Sequence, residues 1–420
     1  MSEELLSVEQ ARARVLDAVV PLPTDEVLLR DALGLVLAAD AVAPHDLPRF
    51  DNSAMDGYAV RASDVEDASA DQPVKLEIIG EVRAGAPGDL TVVPGSAVRI
   101  MTGAPLPPGA DAIVRVEDTA ESDGYVSASV TVPNGMHVRP AGDDIKAGQV
   151  VVDAGAELGP GELAVLASLG LSPIAVRRGP KVALLVTGDE LVDPEAQPAP
   201  GQIRDSNSVA LSALIRDAGA ELVPLGRIED DRDAVRDAFE RAAALADLVV
   251  SSGGVAVGRY DFVKDVVEEL GAISMWRVAM QPGKPVVLGQ LKDTPFLGLP
   301  GNPVSIHVGF EQFVRPAIRK MRGCASLLRP VLRARLTETI EKIPGRLHFV
   351  RVRLSALEQG WTATPTGPQG SHIQSSLVGS HGVARFAREL DRLARGTEVE
   401  VEVWRLPEAE ERMTERDLGR

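Results

Sequence analysis

The residues best placed to do chemistry gather in three short loops. TGDE (Thr187 to Glu190) follows the apolar run VALLV, SSGGVAVGRYD (Ser251 to Asp261) follows DLVV, and GLPGNPVS (Gly298 to Ser305) follows PFL. Gly253, Gly254, Gly258 and Gly301 let backbone amides approach a ligand with no Cβ in the way, and the amides ahead of a helix beginning near Val304 suit a phosphate or oxyanion. A single glycine cluster reads as a turn. Three at the ends of strands of one sheet read as a phosphate-binding site without a P-loop. The same loops carry Asp189, Glu190 and Asp261, with Asp205, Asp230 and Asp231 at other strand-to-helix junctions. Carboxylates facing a phosphate only repel it unless Mg²⁺ lies between, held by one or two of them and by the phosphate. Asp230 or Asp231, just before DAVRDAFERA, equally suits a helix N-cap.

Two further groups accompany these loops. The first comprises RFDNSAMDGYAV (Arg49 to Val60), RIMTGAPLPPGADAIVRVED (Arg99 to Asp118) and RPAGDDI (Arg139 to Ile145), in which Asp51 and Asp56 lie in turn-forming surroundings. The second is basic: Arg277 and Lys284 around MQPGKP, then Arg346 and Arg351 near Ser371 in GPQGSHIQSS. Arginine suits bidentate contacts to an oxyanion. The six histidines show no metal-ligand spacing, and GxxxxGK[ST], GxGxxG after a strand, HExxH and calcium-loop patterns are absent.

The elements that must hold these loops follow from periodicity. Between about 180 and 323, continuous apolar runs alternate with helical patterns, which defines a doubly wound α/β domain with a mostly parallel sheet. Ligands of such sheets bind beyond the carboxyl ends of the strands, where the three loops fall. Residues 41–145 form an inserted β-rich module of short alternating runs such as VKLEIIGEV, AIVRVED and YVSASVTV. Ser7 and Gln10 cap an opening amphipathic helix, expected to pack with the helix after Pro160 in a domain of residues 1–40 and 146–178. The α/β domain is assigned to 179–325 and a small C-terminal β domain to 326–407, with a frayed tail at 408–420.

Composition sets outer limits. The 420 residues include 61 acidic and 44 basic side chains, a net charge of −17, which argues against nucleic acid or anionic membranes as partners. Aromatic residues are 3%, so the cores must be aliphatic. One cysteine, Cys324, excludes an internal disulfide, and no signal or membrane-spanning pattern is evident. These features lead to the expectation of a cytoplasmic protein.

The blocks RFDNSAMDGYAV, IMTGAPLPPGADAIV, RPAGDDI, TGDEL, GGVAVG, PGKP, LPGNPVS and GSHI, in this order and over nearly the whole chain, resemble the molybdopterin molybdenumtransferases. These are the molybdenum insertases, which include bacterial MoeA and the gephyrin E domain. The resemblance implies a transferase that takes adenylylated molybdopterin and molybdate, with Mg²⁺, to molybdenum cofactor and AMP. It implies that Asp56, Thr102, Arg139 and Asp144 face the active site from the inserted module, Asp56 and Asp144 positioning substrate. It places Glu190, Asp230 and Asp261 in the α/β domain, Glu190 and Asp261 holding metal and water at the phosphoanhydride. Thr187, Gly188, Ser252, Gly253 and Gly254 then contact substrate, as do Pro300, Gly301 and Asn302. The molybdate site falls on Arg277, Gln281, Ser305, Arg351 and Ser371, with Lys284 beside it.

Gln281 stands where the family pattern usually has lysine, removing a positive charge from the oxyanion site. The resemblance further implies a homodimer with the active site between subunits, and molybdopterin adenylyltransferase and apo-molybdoenzymes as partners. Three alternatives stand beside it. The preceding adenylylation step is one, although it resembles residues 180–323 alone; a tungstate-preferring paralogue and a non-catalytic scaffold are the others.

Overall fold

Helix α1 (Val8–Asp17) begins at a reciprocal capping box. The Ser7 hydroxyl accepts the Gln10 N–H at 3.1 Å and the Gln10 side chain accepts the Ser7 N–H at 2.9 Å. Its buried Val8, Ala11 and Val15 lie in one core with Phe313, Val314 and Met321. In this computed structural model residues 5–254, 262–357 and 360–407 are described. The chain divides into two units: residues 1–25, 34–38 and 176–420, and residues 26–33 and 39–175. The helix after Pro160, α2 (Pro160–Ser168), therefore lies in the other unit from α1, against the expected pairing. Its Val165, with Leu169, packs on Ala43, Leu47 and Ile145 instead. Both helices carry an apolar stripe, and only long-range packing decides where each is buried.

In the unit containing residues 39–175, a six-stranded sheet runs in the order Ala112–Arg115, Gly57–Val60, Ser96–Ile100, Val74–Val82, Tyr125–Ala128, Thr119–Ser122. The alternating runs read from the sequence supply three of these strands. Gly57 must be glycine, because a Cβ there would lie 2.1 Å from the Val114 carbonyl oxygen. Beside this sheet Asn52–Ser53 pairs with Val138–Arg139 as a short antiparallel ribbon.

The other unit carries the α/β domain. Its strands are β1 (Lys181–Thr187), β2 (Glu221–Ile228), β3 (Leu248–Ser252), β4 (Gly271–Arg277), β5 (Pro285–Leu291) and β6 (Thr294–Leu299). They are ordered β2-β1-β3-β6-β5-β4. The first four in that order are parallel, whereas β5 runs antiparallel to both its neighbours and the edge strand β4 returns to the common direction. Both faces are covered, by α3 (Ser206–Asp217), α4 (Arg232–Leu245), α5 (Phe262–Leu270) and α6 (Pro303–Gly309), with α6 continuing through a π turn (Phe310–Val314) into α7 (Arg315–Met321). The cores are aliphatic, as the composition required.

Strands β7 (Val331–Leu336), β8 (Leu347–Leu357), β9 (Gly360–Pro365), β10 (Gly382–Phe386) and β11 (Glu398–Val403) follow. β8 pairs with β9 and β10, β9 with β7, β7 with β11 and β11 with β10, so the sheet closes on itself as a small barrel. Closure leaves no free edge among these five strands. Among the described residues no helix is long and apolar enough to cross a membrane.

Candidate functional site

β1, β3 and β6 are neighbours in the sheet and parallel, so their following loops emerge side by side. Gly253 has φ +87°, and a Cβ there would lie 2.8 Å from the Thr187 carbonyl oxygen. Only glycine lets the two loops touch. The Gly253 N–H reaches the Leu299 carbonyl at 3.1 Å, drawing the third loop in. Gly253, Gly254, Gly301 and Asn302 thus form a backbone ridge with a cavity on each side.

The cavity on one side, about 600 Å³, is basic and polar. Lys284 and Arg346 line it with Gln281, Pro300, Ser305, Gln369 and Ser371. Arg351 does not line it. Its side chain is wholly buried, donating to the carbonyls of Gly370 at 3.2 Å and Pro368 at 3.5 Å and to the Ser376 hydroxyl at 3.1 Å. Burial pulls its pKa down to about 10, which leaves it charged at neutral pH. Arg351 therefore supports the loop that carries Ser371, where direct contact with an oxyanion was expected. Arg277 also lies outside the cavity lining, its backbone registered with Pro285.

The first amide of α6 is likewise occupied. The Val304 N–H donates to the Ser371 carbonyl at 3.1 Å, so the phosphate expected there has lost that donor to the barrel loop.

The cavity on the other side, about 670 Å³, is acidic. Thr187, Gly188, Glu190, Asp230 and Ser252 line it, as the sequence grouped them, but so do Arg204, Ser206, Asn207 and His372. The Glu190 carboxylate folds over Gly188, within 2.8 Å of where a Cβ would stand. The Asp230 N–H donates to the Asp189 carboxylate at 3.1 Å. Burial first, and then the charges of Asp189 and Glu190, raise the Asp230 carboxyl above its ordinary value. Asp231 and Asp205 serve as N-caps of α4 and α3, accepting from Ala234 N–H and Ser208 N–H at 2.9 Å each. Asp261 and Gly258 lie outside the described residues. Among the described residues no three His, Cys, Asp or Glu side chains converge as a cage for metal. Of the three carboxylates lining the cavity Asp205 is taken up as a helix cap, and the remaining two, Glu190 and Asp230, match what Mg²⁺ takes from protein when it keeps waters and substrate phosphate.

Asn207 was missed by sequence reasoning. Its side-chain amide donates to the Ser252 hydroxyl at 3.0 Å and to the Gly301 carbonyl at 2.7 Å, bonds that span 45 and 94 residues of sequence. No local pattern encodes such contacts.

In the other unit the three remaining blocks come together. The Thr102 N–H and hydroxyl donate to Asp56 Oδ1 at 2.7 and 2.8 Å, the backbone bond being the larger cause that holds this carboxyl below its ordinary value. The Asp51 carboxylate accepts the Ala141 N–H at 2.7 Å, and Arg139 is registered with Asn52. Asp144 follows on the next turn, exposed, its N–H on the Leu47 carbonyl at 3.1 Å.

A doubly wound sheet with strand-end glycine loops, a closed C-terminal barrel and an inserted β module define a multidomain ligand-binding α/β protein. Three family models match it: the MoeA N-terminal region (domain I and II) over residues 6–170, a probable molybdopterin binding domain over 183–320 and the MoeA C-terminal region (domain IV) over 333–404. It is 39% identical over 402 residues to a molybdopterin molybdenumtransferase of Haemophilus influenzae, covering 95% of this chain and 98% of that one. It is 40% identical over 381 residues to molybdopterin molybdenumtransferase 2 of Mycobacterium tuberculosis, covering 89% and 94%. Two crystal structures of the molybdopterin biosynthesis MoeA protein of Pyrococcus horikoshii superpose with TM-scores of 0.83 and 0.82 at 34% and 29% identity, each covering 96% of this chain and 100% of its own. The chain belongs to the molybdopterin molybdenumtransferases, enzymes of molybdenum cofactor biosynthesis.

Proposed function

We propose that this enzyme inserts molybdate into adenylylated molybdopterin and releases AMP. The observation that carries the reading is the division of one strand-end crevice, by a glycine ridge, into a basic and an acidic cavity. Lys284 and Arg346 supply positive charge for an oxyanion, and Ser305 and Ser371 bring hydroxyl donors to the same cavity. Glu190 and Asp230 are the described residues that would hold Mg²⁺, with Asp261 the third candidate. Held by these carboxylates, Mg²⁺ would supply positive charge for the phosphate oxygens of the phosphoanhydride whose cleavage frees AMP. The ridge offers Gly253 and Gly254 as backbone lining that a phosphate can approach closely.

Gln281 lines the basic cavity, and a neutral amide in that place leaves open a second reading, an enzyme with altered oxyanion preference such as tungstate. AMP release from adenylylated molybdopterin with Mg²⁺, compared with molybdate, tungstate and no oxyanion, separates the readings. Molybdate-dependent release is the expected result. A tungstate preference would support the second reading, and no release from folded protein that still binds nucleotide would make it a scaffold.

The proposal extends to a homodimer in which Asp56, Thr102, Arg139 and Asp144 of one subunit complete the cavities of the other. Phe50, Met55 and Met136, exposed near the same ribbon, are apolar surface that a second subunit would cover. A molybdopterin adenylyltransferase would supply the substrate, and apo-molybdoenzymes would take the product.

A further inference from the structure

We propose that Asn207 is a specificity-determining residue of the acidic cavity, its amide oxygen accepting a hydroxyl or amine donor of the bound nucleotide. The inference rests on the nucleotide reading above and deepens it. Gly301 offers its carbonyl, an acceptor only, so the group 2.7 Å away must be the Asn207 NH₂ and not its oxygen. The second N–H of that NH₂ goes to the Ser252 hydroxyl at 3.0 Å. Both donors are therefore spent on the two loops that build the ridge, and the amide orientation is fixed. Asn207 also lines the cavity, and among the described residues its Oδ1 accepts no protein donor.

A fixed neutral acceptor beside Glu190 and Asp230 cannot serve a phosphate oxygen, which has no proton to give. It suits the parts of a nucleotide that do: the ribose hydroxyls or the exocyclic amine of the base. Acceptance by Oδ1 is then worth one ordinary hydrogen bond, about tenfold in affinity, and an analogue lacking the donor should lose that factor.

The test is calorimetric titration of the full chain, with Mg²⁺, against AMP, its dideoxyribose analogue and inosine monophosphate. The wild type should bind AMP about tenfold tighter than the one analogue that lacks the donor, which tells ribose from base. In Asn207→Ala that ratio should fall to near one. Asn207→Asp loses both donors that fix the side chain, so the ratio should fall there as well. Should Asn207→Ala not fold, Asn207→Ser serves instead, since its side chain is polar but too short to put an acceptor where the amide oxygen stood. Equal binding of all three ligands by the wild type would overturn the inference. So would a ratio unchanged in the alanine or serine variant, which would leave Asn207 as an anchor of the ridge alone. Failure of AMP itself to bind the wild type would overturn the nucleotide reading and the inference with it.

Discussion

The Ser371 carbonyl accepts the Val304 N–H at 3.1 Å, joining a barrel loop to the first turn of α6. The helix start that a free ligand would otherwise reach is thus used to seat the loop carrying Ser371, Gln369 and Gly370 at the wall of the basic cavity. The positive field of that cavity then comes from side chains rather than from a helix terminus. Its geometry depends on whatever holds the loop from behind.

That support is Arg351. Removing its guanidinium leaves the buried Ser376 hydroxyl and the half-buried Gly370 carbonyl without their donor and frees the carbonyl of the exposed Pro368. Arg351→Met should cost on the order of 2–3 kcal/mol in chemical unfolding. Arg351→Lys, which keeps the charge but not the fork, should cost less. Both should raise the oxyanion concentration needed for half-maximal AMP release, because Ser371 loses its place. A methionine variant as stable as the wild type would mean that the loop holds itself.

Asp230 carries a pH signature. Its carboxyl is raised by burial and by Asp189 and Glu190, so ionising it in the folded state is unfavourable. The penalty is absent below the ordinary value of 3.8 and is felt as pH rises through the higher folded value. Asp230→Asn should therefore raise Tm at neutral pH, with the gain vanishing in acid, while AMP release falls. Mg²⁺ should narrow the difference in Tm by stabilising the wild type. A variant less stable than the wild type at neutral pH would show that bonds made by the carboxylate outweigh the repulsion.

How much of this was legible in the sequence follows from how local each feature is. The three loops at the ends of β1, β3 and β6 are written as an apolar run, a glycine turn and a helix, so their meeting could be read directly. Asn207 could not, since its partners are brought beside it only when the sheet is assembled. Arg351 misled for a different reason. In an alternating strand it looks like a solvated side chain, but Phe349 is buried in the α/β core and Val350 in the barrel core, so both faces of β8 are covered. The partner of α1 was misjudged because an apolar stripe states that a helix is buried and not against what.

Asp56 and Asp230 belong to different units of the chain, and the proposed dimer makes their defects complementary. Asp56→Asn and Asp230→Asn homodimers should each release little AMP. A mixture allowed to exchange subunits should regain up to about a quarter of wild-type activity, since half the dimers are mixed and each of those has one intact site. No recovery from a mixture shown to have exchanged would place both residues in a cavity of the same subunit. Thr102→Val gives an independent reading of the same loop. Losing the hydroxyl donor should move the Asp56 titration, followed by NMR, up toward its ordinary 3.8, though not fully, because the Thr102 N–H remains.

Gln281 is the residue whose chemistry departs most from what its surroundings ask. It lines a cavity whose charge comes from Lys284 and Arg346, and its amide offers an oxyanion only a neutral donor. A charge-assisted hydrogen bond is worth roughly 1.5–3 kcal/mol against about 1 for a neutral one. Gln281→Lys should therefore lower the molybdate concentration for half-maximal AMP release by a few-fold to about thirtyfold, with a smaller change in the maximal rate. The same variant should bring tungstate and molybdate closer together if the neutral amide is what tells them apart. An unchanged requirement for both oxyanions would mean that Lys284 and Arg346 already saturate the charge the site can use.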